Sequence, residues 1–205
     1  MHTARLDCSV AVYNEWLVVA GGWGDGGKVL SSVEVLNTDS KQWYAGPPTP
    51  TGWSDMKTAI VWDVCYFMGG FSAPPGAFSA SASDKVYSMS LPALTSQLHS
   101  QEPRERSQHH QIWKEISGLQ VKWSTPLSIS GALLAVGGED KDGAKVSAIH
   151  LYQPDTGKWV KVGDLPTPRS ECTCAMIGES ELLVAGGCSR TRGYLSHTDI
   201  AEIRY

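Results

Sequence analysis

The chain has 205 residues, enough for one sizeable domain or two small ones, with 41% apolar and 19% charged residues, the balance of a soluble globular protein. A formal charge of −4 argues against a general nucleic-acid binder, and no apolar run approaches the roughly 18 residues that cross a bilayer. The N-terminal "MHTARLDCSV" lacks the charged-then-apolar build of a signal peptide, and five cysteines without framework spacing read as free thiols, so the expected compartment is cytoplasmic.

In chain order the segments repeat. "CSVAVY" reads as a first strand, "LVVAGG" as a second, "WGDGGKVL" as a glycine-rich loop, "SSVEVLN" as a third strand and "KQWYAG" as a short fourth one opened by Trp43. "MKTAIVW", "CYFMGG", "FSAPPGAFSASAS" and "DKVYSMS" follow, then a polar insertion over 91–110, then Trp113. The third pass is "PLSIS", "LLAVGG", "EDKDGAKV", "SAIHLYQ" and "GKWVKVG" with Trp159. The fourth is "CTCAMI", "LLVAGG", "CSRTRGYLS" and "TDIAEIRY", and it stops before its Trp. The doublets are Gly21–Gly22, Gly69–Gly70, Gly137–Gly138 and Gly186–Gly187, stepping by 48, 68 and 49 residues, and the insertion accounts for the long step.

Leu17 to Ser32 also matches two phosphate-binding patterns, with Gly22, Gly24 and Gly27 as G-x-G-x-x-G and Gly22 to Lys28 as most of a P-loop. Both need a helix after the glycines. "VLSSVEVLNTDS" reads instead as a strand, and Val29 stands where a P-loop needs Ser or Thr, so the glycines are expected to be hinges.

Four short strands per period of about 48 is the pattern of a propeller blade. With Gly137, Gly138, Tyr152 and Trp159 in order, and Gly21, Gly22, Leu36 and Trp43 matching them, the chain resembles the kelch-repeat family. The resemblance implies an all-β, kelch-type propeller arc of about four blades, at 5–52, 53–121, 122–168 and 169–205, the last without its outer strand. Family propellers commonly have six blades and close by pairing strands from the two termini. No such closure is expected here, so the reading is an open, incomplete arc. The resemblance also implies that each fourth-strand Trp packs between neighbouring blades.

Catalytic groups are sought next. Cys172 and Cys174 point to one face of a strand and Cys188 follows, but Cys8 aligns with Cys172 and Val10 with Cys174, the exchange expected of core positions. His99, His109 and His110 sit in the insertion, which reads as a mobile loop. Galactose-oxidase and sialidase propellers are the enzymes to compare, and no motif of either matches residue by residue. The expectation is no enzyme activity, no catalytic residues, no metal and no cofactor. A propeller-scaffold enzyme of those types is the alternative, and a structural or assembly element the second.

The function expected is recognition of a protein or peptide by loops on one propeller face, in an adaptor or substrate-recognition role. Candidate contacts are Trp23, Phe71, Phe78, Arg169, Arg190, Arg192 and Tyr194, because aromatic and Arg side chains dominate binding hot spots. Trp53 and Trp123 lie beside them, as structural or contacting residues. By resemblance the partners are ubiquitin-ligase or cytoskeletal components, with no nucleic acid and no membrane.

Overall fold

The computed structural model describes residues 1–99, 112–116 and 118–204. Strands form where the repeat predicts them. Blade 1 is a sheet of Ser9–Tyr13, Trp16–Ala20, Val33–Asn37 and Trp43–Gly46, in that spatial order. Blade 2 is built from Lys57–Val61, Val64–Met68, Val86–Ser90 and Trp113–Ile116. Blade 3 has Thr125–Ile129, Ala132–Val136, Ala148–Gln153 and Lys158–Asp164. Blade 4 pairs Thr173–Ile177, Glu181–Ala185 and Thr198–Glu202, without a fourth strand among the described residues.

The chain divides into two compact units, one of Met1–Ser83 with Tyr87–Glu115, the other of Asp84–Val86 with Ile116–Tyr205. Strand alternation builds the core of each. In the first unit one face of blade 1 (Ala11, Val18, Val33, Val35) packs on Met56, Cys65 and Phe67 of blade 2. In the second, Leu134, Val136 and Ile149 of blade 3 pack on Leu182, Val184 and Ala201 of blade 4. A hydroxyl ties the same register in both units. Ser9 Oγ donates to the Met56 carbonyl at 2.5 Å, and Thr125 Oγ1 to the Cys172 carbonyl at 2.7 Å. Burial of apolar faces is the dominant favourable contribution, and each buried hydroxyl bond fixes the stagger of one sheet on the next.

The insertion departs from the loop expected of it. Leu91–His99 is an α-helix with Leu91 and Leu94 buried and Leu98 packed against the first unit's core. Ser90 Oγ accepts the Ala93 N–H at its start. Three leucines at helical spacing supply an apolar stripe that polar composition conceals. His99 accordingly lies edge-on to Trp16, centroids 5.4 Å apart, while His109 and His110 fall outside the described residues.

Candidate interaction surface

The candidate loops hang on the glycine doublets. All eight glycines have positive φ, from 58° at Gly137 to 122° at Gly138, a region closed to most side chains. Crowding makes the requirement absolute at most of them. A Cβ on Gly21 would stand 2.2 Å from the Trp53 carbonyl oxygen, and one on Gly137 2.4 Å from that of Arg169. The first glycine of a doublet thus meets the segment leading into the next blade. The second meets the lead-in of its own blade: Gly70 faces Ser54 O at 2.2 Å and Gly187 faces Ser170 O at 2.5 Å. The residue after each doublet pairs with that lead-in, as Leu6 with Trp23, Ser54 with Phe71, Lys122 with Glu139 and Ser170 with Cys188. Lys28–Val29 is a strand, and Asp25–Gly27 a single 3-10 turn, where a phosphate cradle needs a helix.

A side chain just before this bridge braces the hinge. Arg5 Nη1 donates to the Gly21 carbonyl at 2.8 Å, Trp53 Nε1 to that of Gly69 at 2.6 Å, and Arg169 Nη1 to that of Gly186 at 3.0 Å. Each brace has a partner at one equivalent site on the third strand. Arg5 pairs with Glu34 at 2.8 Å, Arg169 with Asp199, and the Trp53 ring meets Tyr87 edge-on at 4.8 Å. Blade 3 has Val121 and His150 at these two positions, replacing both ionic members together. Burial alone would raise the Glu34 carboxyl. The His2 N–H, the Arg5 guanidinium and Thr3 overcome it and hold the group at about 2. Burial also lowers the His150 imidazole, with Lys161 adding to it and Asp164 opposing it, which disfavours the charged ring.

In the first unit the loops of blades 1 and 2 are joined by backbone. Val29 N–H donates to Ala77 O at 2.8 Å, and Gly76 N–H to Val29 O at 2.9 Å. Phe78 projects from this platform, 68% exposed, with Lys28 Nζ 5.7 Å above its ring. Trp23 and Phe71 are half-buried within it. In the second unit Tyr194 is 91% exposed. It flanks a cleft of about 340 Å³ lined by Glu171, Gly187, Cys188 and Leu195. A smaller cleft of about 160 Å³ carries Lys145, Arg190 and Thr191 on its walls, with Arg192 exposed beside it.

The comparisons with known proteins fit this architecture. Residues 4–50 match the model of the Kelch motif. The first blade is thus a kelch motif, and the later blades repeat its order of strands. It is 26% identical over 185 residues to Kelch-like protein 25 of Xenopus tropicalis, with 89% of the chain and 29% of that protein aligned. Kelch-like protein 34 of Homo sapiens is 24% identical, covering 91% of the chain and 26% of that protein. Acyl-CoA-binding domain-containing protein 4 of Arabidopsis thaliana is 25% identical over 91% of the chain and 28% of that protein. The chain therefore spans less than a third of the length of the relatives it matches. The kelch tryptophan of blade 2 is a wedge: Trp113 is buried, tilts against Phe67 at 5.0 Å and donates from Nε1 to Pro47 O of blade 1 at 3.2 Å. Trp159 packs instead on Tyr152 of its own kelch blade, centroids 5.1 Å apart, and Trp43 stands opposite Leu36 on the neighbouring strand.

One predicted contact residue of the kelch loops is placed elsewhere. Arg169 is fully buried, spent on Gly186 O, Thr167 O, Asp199 and His197, so it braces the blade and presents nothing to a partner. Trp53 is likewise fully buried as a brace. Phe78, Arg190, Arg192 and Tyr194 remain at the surface, and the structure adds Lys28 to them, whereas Lys145 is spent on Glu139 at 2.5 Å. All five cysteines are free thiols, and burial pushes Cys65 up to about 12. Among the described residues, no group of three or more His, Cys, Asp or Glu is placed to hold a metal ion, and no helix is long and apolar enough to cross a membrane.

Proposed function

We propose that this chain is a protein-interaction module of adaptor or substrate-recognition type. It binds a protein or peptide through the loops between second and third strands, without catalysis of its own. The observation that carries the reading is Tyr194, 91% exposed beside a cleft and raised on a hinge whose backbone is locked by Arg169. An exposed aromatic on a rigid mount gives contact area at small entropic cost, and Arg190 and Arg192 supply forked donors next to it. The kelch relatives support interaction as the role. Ubiquitin-ligase or cytoskeletal components are the partner classes we propose, acting in the cytoplasm.

The test is affinity capture followed by quantitative mass spectrometry, comparing the wild-type chain with Tyr194→Ala, with Arg190→Ala/Arg192→Ala and with Phe78→Ala. Partners that use these loops should fall at least about tenfold with one or more variants, the effect of losing one hot spot. Equal recovery by all three would overturn the loop assignment.

A further inference from the structure

One turn of the first unit carries a side chain that its own fold does not use. Val61 and Val64 pair across the two-residue connection of Trp62 and Asp63. Trp62 has φ 52°, in the left-handed region. The residues at the same place in the other blades are Asn14, Ser130 and Gly178, with φ 50°, 45° and 71°. Asn and Gly enter that region readily, while a bulky side chain is strained there. Burial does not offset the strain: Trp62 is 78% exposed, whereas Trp16, Trp53 and Trp113 are buried. Strain that local packing leaves uncompensated is a mark of functional positions.

The turn is held from both sides. Tyr13 of blade 1 donates its hydroxyl to Asp63 Oδ1 at 2.7 Å, and Leu91 N–H of the helix donates to Asp63 O at 3.0 Å. Tyr13 itself packs against the core that blades 1 and 2 share. Its bond to Asp63 raises the Tyr13 hydroxyl, and the Glu15 charge adds to the shift, so two carboxylates surround one point. Neither Asp63 nor Glu15 forms an ion pair among the described residues. The indole is therefore mounted on a fixed turn beside two carboxylates that lack a cation. Strand Val64–Met68 separates it from Gly69, so this surface lies at the opposite end of the sheet from the candidate loops.

We propose that Trp62, Asp63 and Glu15 form a second docking point, which takes an arginine side chain from a basic segment of a protein partner. A guanidinium stacks on the indole, the best aromatic face for a cation, while its forked N–H donors meet the carboxylates. Charge decides the occupant. Two carboxylates repel the phosphates of nucleic acid and of anionic lipid, and a cation is the group that matches them. A lysine supplies the charge without the planar fork. Because Tyr13 and Leu91 already fix the turn, little ordering is left to oppose binding. This docking point shares no residue with the loops between second and third strands, so the proposal stands independently of the loop-binding reading.

The test is an NMR titration of the full chain, isotope-labelled at its nitrogens and read at the Trp62 indole N–H, which Trp62→Asn identifies by its loss. The probes are a blocked peptide of alternating Arg and Gly, the same peptide with Glu in place of Arg, and phosphatidylcholine vesicles. The arginine peptide alone should shift the Trp62 signal saturably, and added salt should weaken the effect. Asp63→Asn/Glu15→Gln, which keeps an acceptor for Tyr13, should weaken binding at least about tenfold. Arg190→Ala/Arg192→Ala should leave it unchanged. In Trp62→Asn the peptide should no longer move the Glu15 and Asp63 amides, and the melting temperature should not fall, because Asn suits the left-handed backbone. No shift of Trp62 with the arginine peptide, an equal shift with the glutamate peptide or the vesicles, or a lower melting temperature in Trp62→Asn would each overturn the proposal.

Discussion

Trp53 and Arg169 do one job in two blades: each sends a side-chain N–H to the carbonyl of the first glycine of its doublet, at 2.6 and 3.0 Å. An indole and a guanidinium share little beyond a planar donor. Three of the four hinges satisfy that carbonyl in this way, with Arg5, Trp53 and Arg169, while Val121 of blade 3 has no side-chain donor to offer. Removing the donor of Arg169 also strands Asp199. Arg169→Met should therefore cost about 3–5 kcal/mol in urea unfolding, the usual penalty for half of a buried ion pair. Adding Asp199→Leu should recover about 1–2 kcal/mol or more, since an apolar pair leaves no unpaired charge. Blade 3, with Val121 and His150 at the same places, already dispenses with both charges.

Two glycines separate conformational strain from crowding. Gly26 and Gly137 have similar backbones, φ 70° and 58°, but a Cβ on Gly26 meets nothing within 4 Å. Gly26→Ala should cost only about 1 kcal/mol, the price of a left-handed L residue. Gly137→Ala should cost at least about 3 kcal/mol more than that, or leave the chain unfolded, because its methyl has to displace backbone rather than a flexible side chain. Thermal melts of the two variants compare them directly.

Acid should loosen blade 1 through Glu34. Its carboxyl is held at about 2, below the 4.5 of an unperturbed glutamate. The unfolded chain therefore takes up this proton first as pH falls. The associated stability is complete above pH 4.5, declines below it and is gone once pH passes about 2. At neutral pH the contribution is at most about 3 kcal/mol, from the size of the shift. In Glu34→Gln the difference in melting temperature between pH 6 and pH 3 should shrink relative to wild type.

Cys65 should be silent until the first unit opens. Burial holds its thiol at about 12, so almost no thiolate exists at pH 8. Iodoacetamide at that pH should label half-buried Cys188 before it. Modification of Cys65, followed by peptide mass spectrometry, should track unfolding as urea is added.

The repeat was legible because positive φ and backbone crowding at the doublets leave glycine no substitute, so the pattern survives where other positions drift. The wedge of Trp113 was legible for a related reason, since a buried indole with a satisfied N–H is hard to replace. Arg169 misled because an arginine in the proline-bearing loop "LPTPRSE" looks like surface. Its partner Asp199 lies thirty residues on, and only the sheet register brings the two together. Trp53 was harder still, as nothing in its chemistry announces that it stands in for Arg5. The loops themselves were visible in composition. Which of their side chains project was not, because exposure of Phe78 against half-burial of Phe71 depends on the pairing of Phe71 with Ser54 and Ala82.

The helix Leu91–His99 belongs in sequence to blade 2, yet it rests on blade 1: His99 meets Trp16, and Leu94 and Leu98 join the core that the two sheets share. It also hangs from the hairpin of its own blade, where Leu91 N–H donates to Asp63 O at 3.0 Å. A segment fixed to one sheet and seated on its neighbour works as a splint. Separating the first two sheets requires the helix to lift off Trp16 at the same time, so amides along that seam should exchange with solvent together rather than sheet by sheet.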